Sequence, residues 1–224
     1  PAAAQAAAAE PAASAGCPGQ AVEPHYMRVR RRISEWRRAG ASAKVLRWIA
    51  EGVRIPWLDQ PPPPFHHGVS CFTPEHEQWL QDELPRNLAT GAWRYTSRAT
   101  HVSRAFVVEH KGKLRLVFNL KHVNAYCRKF GVRYEPLSAM RRDSRRYDWM
   151  WSLDLSDAYH HIGIHEEDQH YFTFELNLQG RVHRLCTPCL NFGWTNSPAV
   201  FTEVCKVPVR LLRVGGGVST MTKR

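Results

Sequence analysis

The chain has 224 residues and a formal net charge of +11 at pH 7, enough length for one large domain or two small ones with a sizeable core. The cationic excess, mostly arginine, points to a polyanionic partner, with nucleic acid ahead of an anionic membrane surface because guanidinium groups suit bidentate phosphate contacts. No apolar run is long enough to span a bilayer, no secretory pattern opens the chain, and the six cysteines are too dispersed for a disulfide framework, so the expectation is an intracellular protein with reduced thiols and no membrane partner.

Residues 1–24 open with Ala, Pro, Gly, Gln and Ser and offer no large side chain to bury, which predicts a disordered tail. The absence of an initiating Met suggests a fragment. From 25 to 60 the chain turns basic. Ile33, Trp36, Val45, Leu46 and Ile49 recur at helical spacing among many arginines, predicting one or two amphipathic helices broken near Gly40. Their basic side is either a phosphate-contacting face or a solvated surface. Pro61–Pro64 begins a stiff connector over 61–70. A helix should then start at Thr73-Pro74, with Thr as N-cap and Pro at the first position, burying Trp79, Leu80 and Leu84.

Residues 105–118 form two apolar segments around Lys111-Gly112, a hairpin signal. Lys113 and Arg115 lie two apart and share one strand face. They either hold a phosphate chain or guard an edge strand against aggregation. Arg141–Arg146 reads as a charged helix or loop. Next, the apolar residues Met150, Trp151, Leu153 and Leu155 predict a buried strand entering a turn, with Asp154 and Asp157 at its end. A buried carboxylate needs a partner or a cation. Taken alone, Asp154 could bond a loop and Asp157 could cap a helix.

A second hairpin is expected from Tyr171–Leu176 and Val182–Leu185 through Gln179-Gly180, placing Phe172, Phe174 and Leu176 on one face. Ser197-Pro198 should cap and start a helix that Pro208 kinks or ends. Cys186-x-x-Cys189 with His183 raises a zinc reading, which is weak without a second cysteine pair.

Three segments in order resemble the reverse transcriptase domain of retroelements. Lys113–Asn124 resembles the fingers motif, Leu153–Ile162 the first palm motif with its Asp-Ala-Tyr, and Phe192–Phe201 the motif in which a Gly-containing loop enters a helix. The flavour is gypsy-like or tyrosine-recombinase. The resemblance implies an α+β fold of fingers (71–150) and partial palm (151–224), with an antiparallel palm sheet and packed helices. It implies an RNA-directed DNA polymerase with RNA or DNA template, primer and dNTP as partners, and with Mg²⁺, or Mn²⁺, as cofactor.

By that resemblance Asp154 is the catalytic metal ligand, with the Leu155 carbonyl beside it. Asp157 and Ala158 would offer backbone N–H groups to the triphosphate. Tyr159 would sit beneath the sugar and reject a 2′-hydroxyl. Lys113 and Arg115 would clamp the triphosphate from above, and Phe192 and Gly193 would line the base pocket.

The sequence departs from the family pattern twice. Asn191 stands where a Pro usually precedes Phe192-Gly193. The chain also holds no Asp-Asp pair, where the family carries a later Tyr-x-Asp-Asp turn, and it ends in a Gly-rich tail. The expectation is a truncated, marginally stable domain that does not polymerise alone. A non-catalytic nucleic-acid-binding remnant is the alternative.

Overall fold

Gly40, at φ +74°, splits the basic N-terminal segment where the sequence placed the break. The structure is a computed structural model that describes residues 23–98, 100–132, 134, 138, 146–147 and 153–214. The expected tail over 1–22, the Arg141–Arg145 run, Met150, Trp151 and the Gly-rich end after Val214 lie outside the described residues. Three helices occupy the basic segment rather than one or two: α1 (His25–Arg31), α2 (Ile33–Arg38) and α3 (Ala43–Glu51). Arg32 supplies the extra break, its backbone leaving helical geometry at φ −93°, ψ 19°.

Ser42 caps α3 by accepting the Val45 N–H, and Val45, Trp48 and Ile49 bury its apolar side. The chain leaving α3 is tied into the body. Val53 N–H donates to the Gly163 carbonyl at 2.8 Å, and His165 N–H returns to the Val53 carbonyl at 3.0 Å. The buried Asp168 accepts the Ile55 N–H at 2.7 Å and pairs with Arg54 at 3.2 Å.

After the Pro run come β1 (Phe65–His66) and α4 (Pro74–Ala89). Thr73 accepts the His76 N–H and Pro74 opens the helix, as its sequence predicts. Leu80 and Leu84 are buried, while Trp79 is only half-buried. Strands β2 (Arg94–Tyr95), β3 (His101–Ser103), β4 (Ala105–His110) and β5 (Lys113–Phe118) follow, then α5 (Lys121–Ala125). Two short 3₁₀ segments, Ala158–His161 and Glu166–Phe172, lead into β6 (Thr173–Leu178) and β7 (Arg181–Cys186). The last helix is α6 (Ser197–Val214).

Both hairpins form at the expected turns. Lys111 and Gly112 have φ +54° and +70°, and Gln179 and Gly180 have φ +52° and +75°. Paired positive φ values match the twist of the flanking strands. The registers run His110↔Lys113 to Ala105↔Phe118 in one hairpin, and Leu178↔Arg181 to Thr173↔Cys186 in the other.

The larger sheet has the order β1-β3-β6-β7-β2. It is mixed: β1 and β3, and β3 and β6, pair in parallel, while β6 and β7, and β7 and β2, pair antiparallel over the longer register. β6 is buried on both faces. Phe174, Leu176 and Leu178 enter the core on one face, and the other buries Thr173 and Glu175. Glu175 is accommodated because it accepts from Arg184 Nε at 2.7 Å and faces His66 Nε2 at 3.1 Å. The α+β class stands, and one core cluster joins residues from α3 through α6.

Local expectations fail at residues 153–155 and at Ser197. Residues 153–155 form no strand, and Leu153 and Leu155 are 74% and 48% exposed. An apolar run needs a pairing neighbour, and among the described residues none pairs with it. Ser197 does not cap α6; its hydroxyl donates back to the Asn191 carbonyl at 2.7 Å. Of the two outcomes expected at Pro208, ending is excluded: α6 continues to Val214, with Val204 and Val207 buried in the turn that precedes the proline.

Candidate nucleotide-binding site

The Phe192-Gly193 loop is the best-fixed part of the candidate site. Gly193 has φ +105°, and a Cβ there would lie 2.6 Å from the Phe118 carbonyl oxygen. Only a glycine lets the loop rest against the end of β5. Asn124, on α5, holds the same loop from the side. Its Nδ2 donates to the Gly193 carbonyl at 2.8 Å, and its Oδ1 accepts the Thr195 N–H at 2.9 Å. Asn196 acts likewise on the next segment, accepting the Phe130 N–H at 2.9 Å and donating to the Arg128 carbonyl at 3.0 Å. The divergent Asn191 donates to Thr187 Oγ1 at 2.6 Å and, through its carbonyl, receives Ser197. It therefore supports the loop with polar bonds where a Pro would supply stiffness.

Phe192 itself is 57% exposed, and its ring lies 4.9 Å from that of Tyr159. Tyr159 also meets the edge of Phe201 at 5.6 Å. Burial pushes the Tyr159 phenol above its ordinary value. Tyr159 stands on the 3₁₀ segment that begins at Ala158. Asp157 precedes it in the left-handed region at φ +51°, and its carbonyl accepts the His160 N–H at 2.7 Å.

Three of the sequence-predicted elements thus meet: the Tyr159 ring, the Phe192-Gly193 loop and the end of the strand that carries Lys113 and Arg115. Those two cations are exposed on one side of β5, while Leu114 and Leu116 turn inward. Among the described residues neither is joined to an acid. Asp154 is exposed, and among the described residues it forms no ion pair with either. The carboxylate of Asp157 lies 3.9 Å from His25 Nε2 on α1. The ring of His25 stacks on that of His161 at 4.7 Å and 15°. This contact has no local signature, because nothing in the basic segment marks His25 apart from its neighbours.

A divalent hard cation requires several oxygen ligands, usually including more than one carboxylate. The described residues offer the Asp154 carboxylate and the Leu155 carbonyl, while Asp157 faces a histidine. Among the described residues no group of three His, Cys, Asp or Glu side chains gathers to hold a metal. This donor set does not by itself make a two-ion centre. The zinc reading is also unsupported by geometry. His183 bonds the Tyr95 hydroxyl at 2.8 Å, Cys189 Sγ donates to the Ala92 carbonyl at 3.7 Å, and burial pushes both the Cys186 and Cys189 thiols up.

Sequence reasoning also missed Asn124 and Asn196 as the groups that fix the loop. The signal available was an Asn in each of two resembling motifs, without any hint of its partner.

A family model described as reverse transcriptase (RNA-dependent DNA polymerase) matches residues 89–217. It spans more than half of the chain and contains every site residue expected from the sequence, though not His25, and the chain belongs to this family. The fold is similar to that of the prototype foamy virus protease–reverse transcriptase, with a TM-score of 0.55 and 21% sequence identity. That similarity covers 72% of this chain and 21% of the foamy virus chain, so this chain spans about one fifth of that protein's length. No curated protein matches it. Among the described residues, no helix is long and apolar enough to cross a membrane.

Proposed function

We propose that this chain is the nucleotide-facing part of a retroelement RNA-directed DNA polymerase, the enzyme that adds dNTPs to a primer 3′-hydroxyl on an RNA or DNA template. The observation that carries this reading is the packing of Tyr159 against Phe192, on a loop pressed onto the end of the Lys113–Arg115 strand. On this reading residues 71–150 are the fingers and 151–224 part of the palm. Tyr159 forms the floor beneath the sugar, where its ring excludes a 2′-hydroxyl. Phe192 and Gly193 border the base. Lys113 and Arg115 attract the triphosphate, and the backbone of Asp157 and Ala158 lies beneath it. Asp154 would be the one acidic ligand toward Mg²⁺, with the Leu155 carbonyl beside it, a donor set that does not by itself hold two ions.

The 224-residue chain holds no Asp-Asp pair, so it binds nucleotide and template–primer without extending the primer. The test is primer extension on an RNA template with Mg²⁺ and dNTPs, wild type beside Asp154→Asn, with dNTP binding measured in parallel. Binding of dNTP that weakens in Lys113→Ala/Arg115→Ala, without extension, supports the reading. Extension that vanishes in Asp154→Asn would mean that this chain completes its own acidic centre. Absence of dNTP binding would sink the reading.

A further inference from the structure

Helices α1 and α2 lie outside the residues matched by the family, 89–217. Their apolar side is occupied, with Val29, Ile33 and Trp36 packed against the core. Their other side is basic and exposed. Among the described residues Arg31 pairs with Glu23 at 3.2 Å and Arg32 with Glu35 at 2.8 Å, while no carboxylate pairs with Arg30, Arg37 or Arg38. Like charges at helical contact spacing, such as Arg28 with Arg31 and Arg32, weaken a helix. A polyanion laid along them would relieve that repulsion.

The segment is also held in fixed register with the candidate site. His25 stacks on His161 beside Asp157, and the Tyr26 ring lies against Gly163. Arg210 of α6 donates to the Ala39 and Gly40 carbonyls at 3.1 and 2.6 Å. A membrane-surface helix inserts an apolar face into lipid, and here that face is already covered by protein. A phosphate backbone requires only the exposed guanidinium groups.

We propose that the outward side of α1 and α2 is a second nucleic-acid docking surface, on which Arg30, Arg37 and Arg38 grip the phosphate backbone of the template–primer duplex. The duplex as ligand rests on the polymerase reading; the phosphate-binding surface does not.

The experiment is fluorescence anisotropy of the whole chain with a labelled RNA–DNA hybrid duplex over a salt series. The Arg30→Ala/Arg37→Ala/Arg38→Ala variant should bind roughly tenfold more weakly or worse, and the slope of log affinity against log salt should fall by about three, near 0.9 per lost phosphate contact. The corresponding triple Lys variant should keep the slope. All three side chains are exposed, and matched melting curves confirm that the variants fold. An unchanged slope in the Ala variant overturns the proposal. So does binding of phosphatidylserine vesicles that depends on these arginines while duplex binding does not. If the slope falls but dNTP binding is absent, only the polymerase reading fails. If dNTP binding is intact and the slope answers to Lys113 and Arg115 alone, only the docking surface fails.

Discussion

Gly193 touches the Phe118 carbonyl so closely that a single methyl group on it would come within 2.6 Å of the oxygen. The contact joins a loop to a strand end 75 residues earlier in the chain, and it leaves no room for adjustment, because the obstructing atom is backbone. Gly193→Ala also forces a side chain onto a φ of +105°. The expected cost is about 3 kcal/mol. Thermal unfolding measures it, and dNTP binding should weaken with it as Phe192 leaves Tyr159. An unchanged melting midpoint would show that the strand end yields freely.

Histidines wholly or partly withdrawn from water predict a stability that depends on pH. Burial lowers the pKa of His101, His160 and His170 below the ordinary 6.5. The unfolded chain then binds protons that the folded one refuses, so stability is full above 6.5 and is lost as pH falls through that value toward the lowered folded pKa. The urea midpoint should drop between about pH 7.5 and about pH 5.5. His101→Gln, which removes one titrating ring beside Tyr171 and His170, should make that drop shallower. A midpoint flat across the range would refute the assignment.

Glu175 is 2% exposed and depends on Arg184 and His66. Removing Arg184 strands a buried carboxylate. The side chain of Arg184 is itself 45% exposed, which moderates the loss, so Arg184→Ala should cost about 2 kcal/mol. Glu175→Gln combined with Arg184→Ala should cost less than the sum of the two single changes. Chemical denaturation of the four proteins reads the coupling directly, and strict additivity would show that the pair contributes nothing.

Features encoded by neighbouring residues were legible in the sequence. Lys111-Gly112 and Gln179-Gly180 named both hairpin turns, Thr73-Pro74 named the start of α4, and Gly40 named a helix break. Features that depend on distant partners were not. Leu153 and Leu155 carry an apolar pattern that suits a strand, yet burial requires a neighbour that local pattern cannot supply. Pro208 interrupts one backbone bond, but Val204 and Val207 buried beside it keep α6 whole. The motif residues Tyr159, Phe192 and Gly193 were identified one by one from resemblance. Their convergence, and the part of Asn124 in it, required the fold.

The stitch from Arg210 to Ala39 and Gly40, together with the exchange of backbone bonds between Val53 and the 163–165 segment, separates evolutionary unit from folding unit. The family match starts at residue 89, whereas Val45, Trp48, Ile49 and Val53 all belong to the same buried cluster as Ile164 and Val204. A protein trimmed to the matched residues would bare that apolar surface and leave the Gly163 carbonyl and the His165 N–H without their Val53 partners. It would be a poor reagent for crystallisation or activity work, however faithful its boundaries were to the alignment.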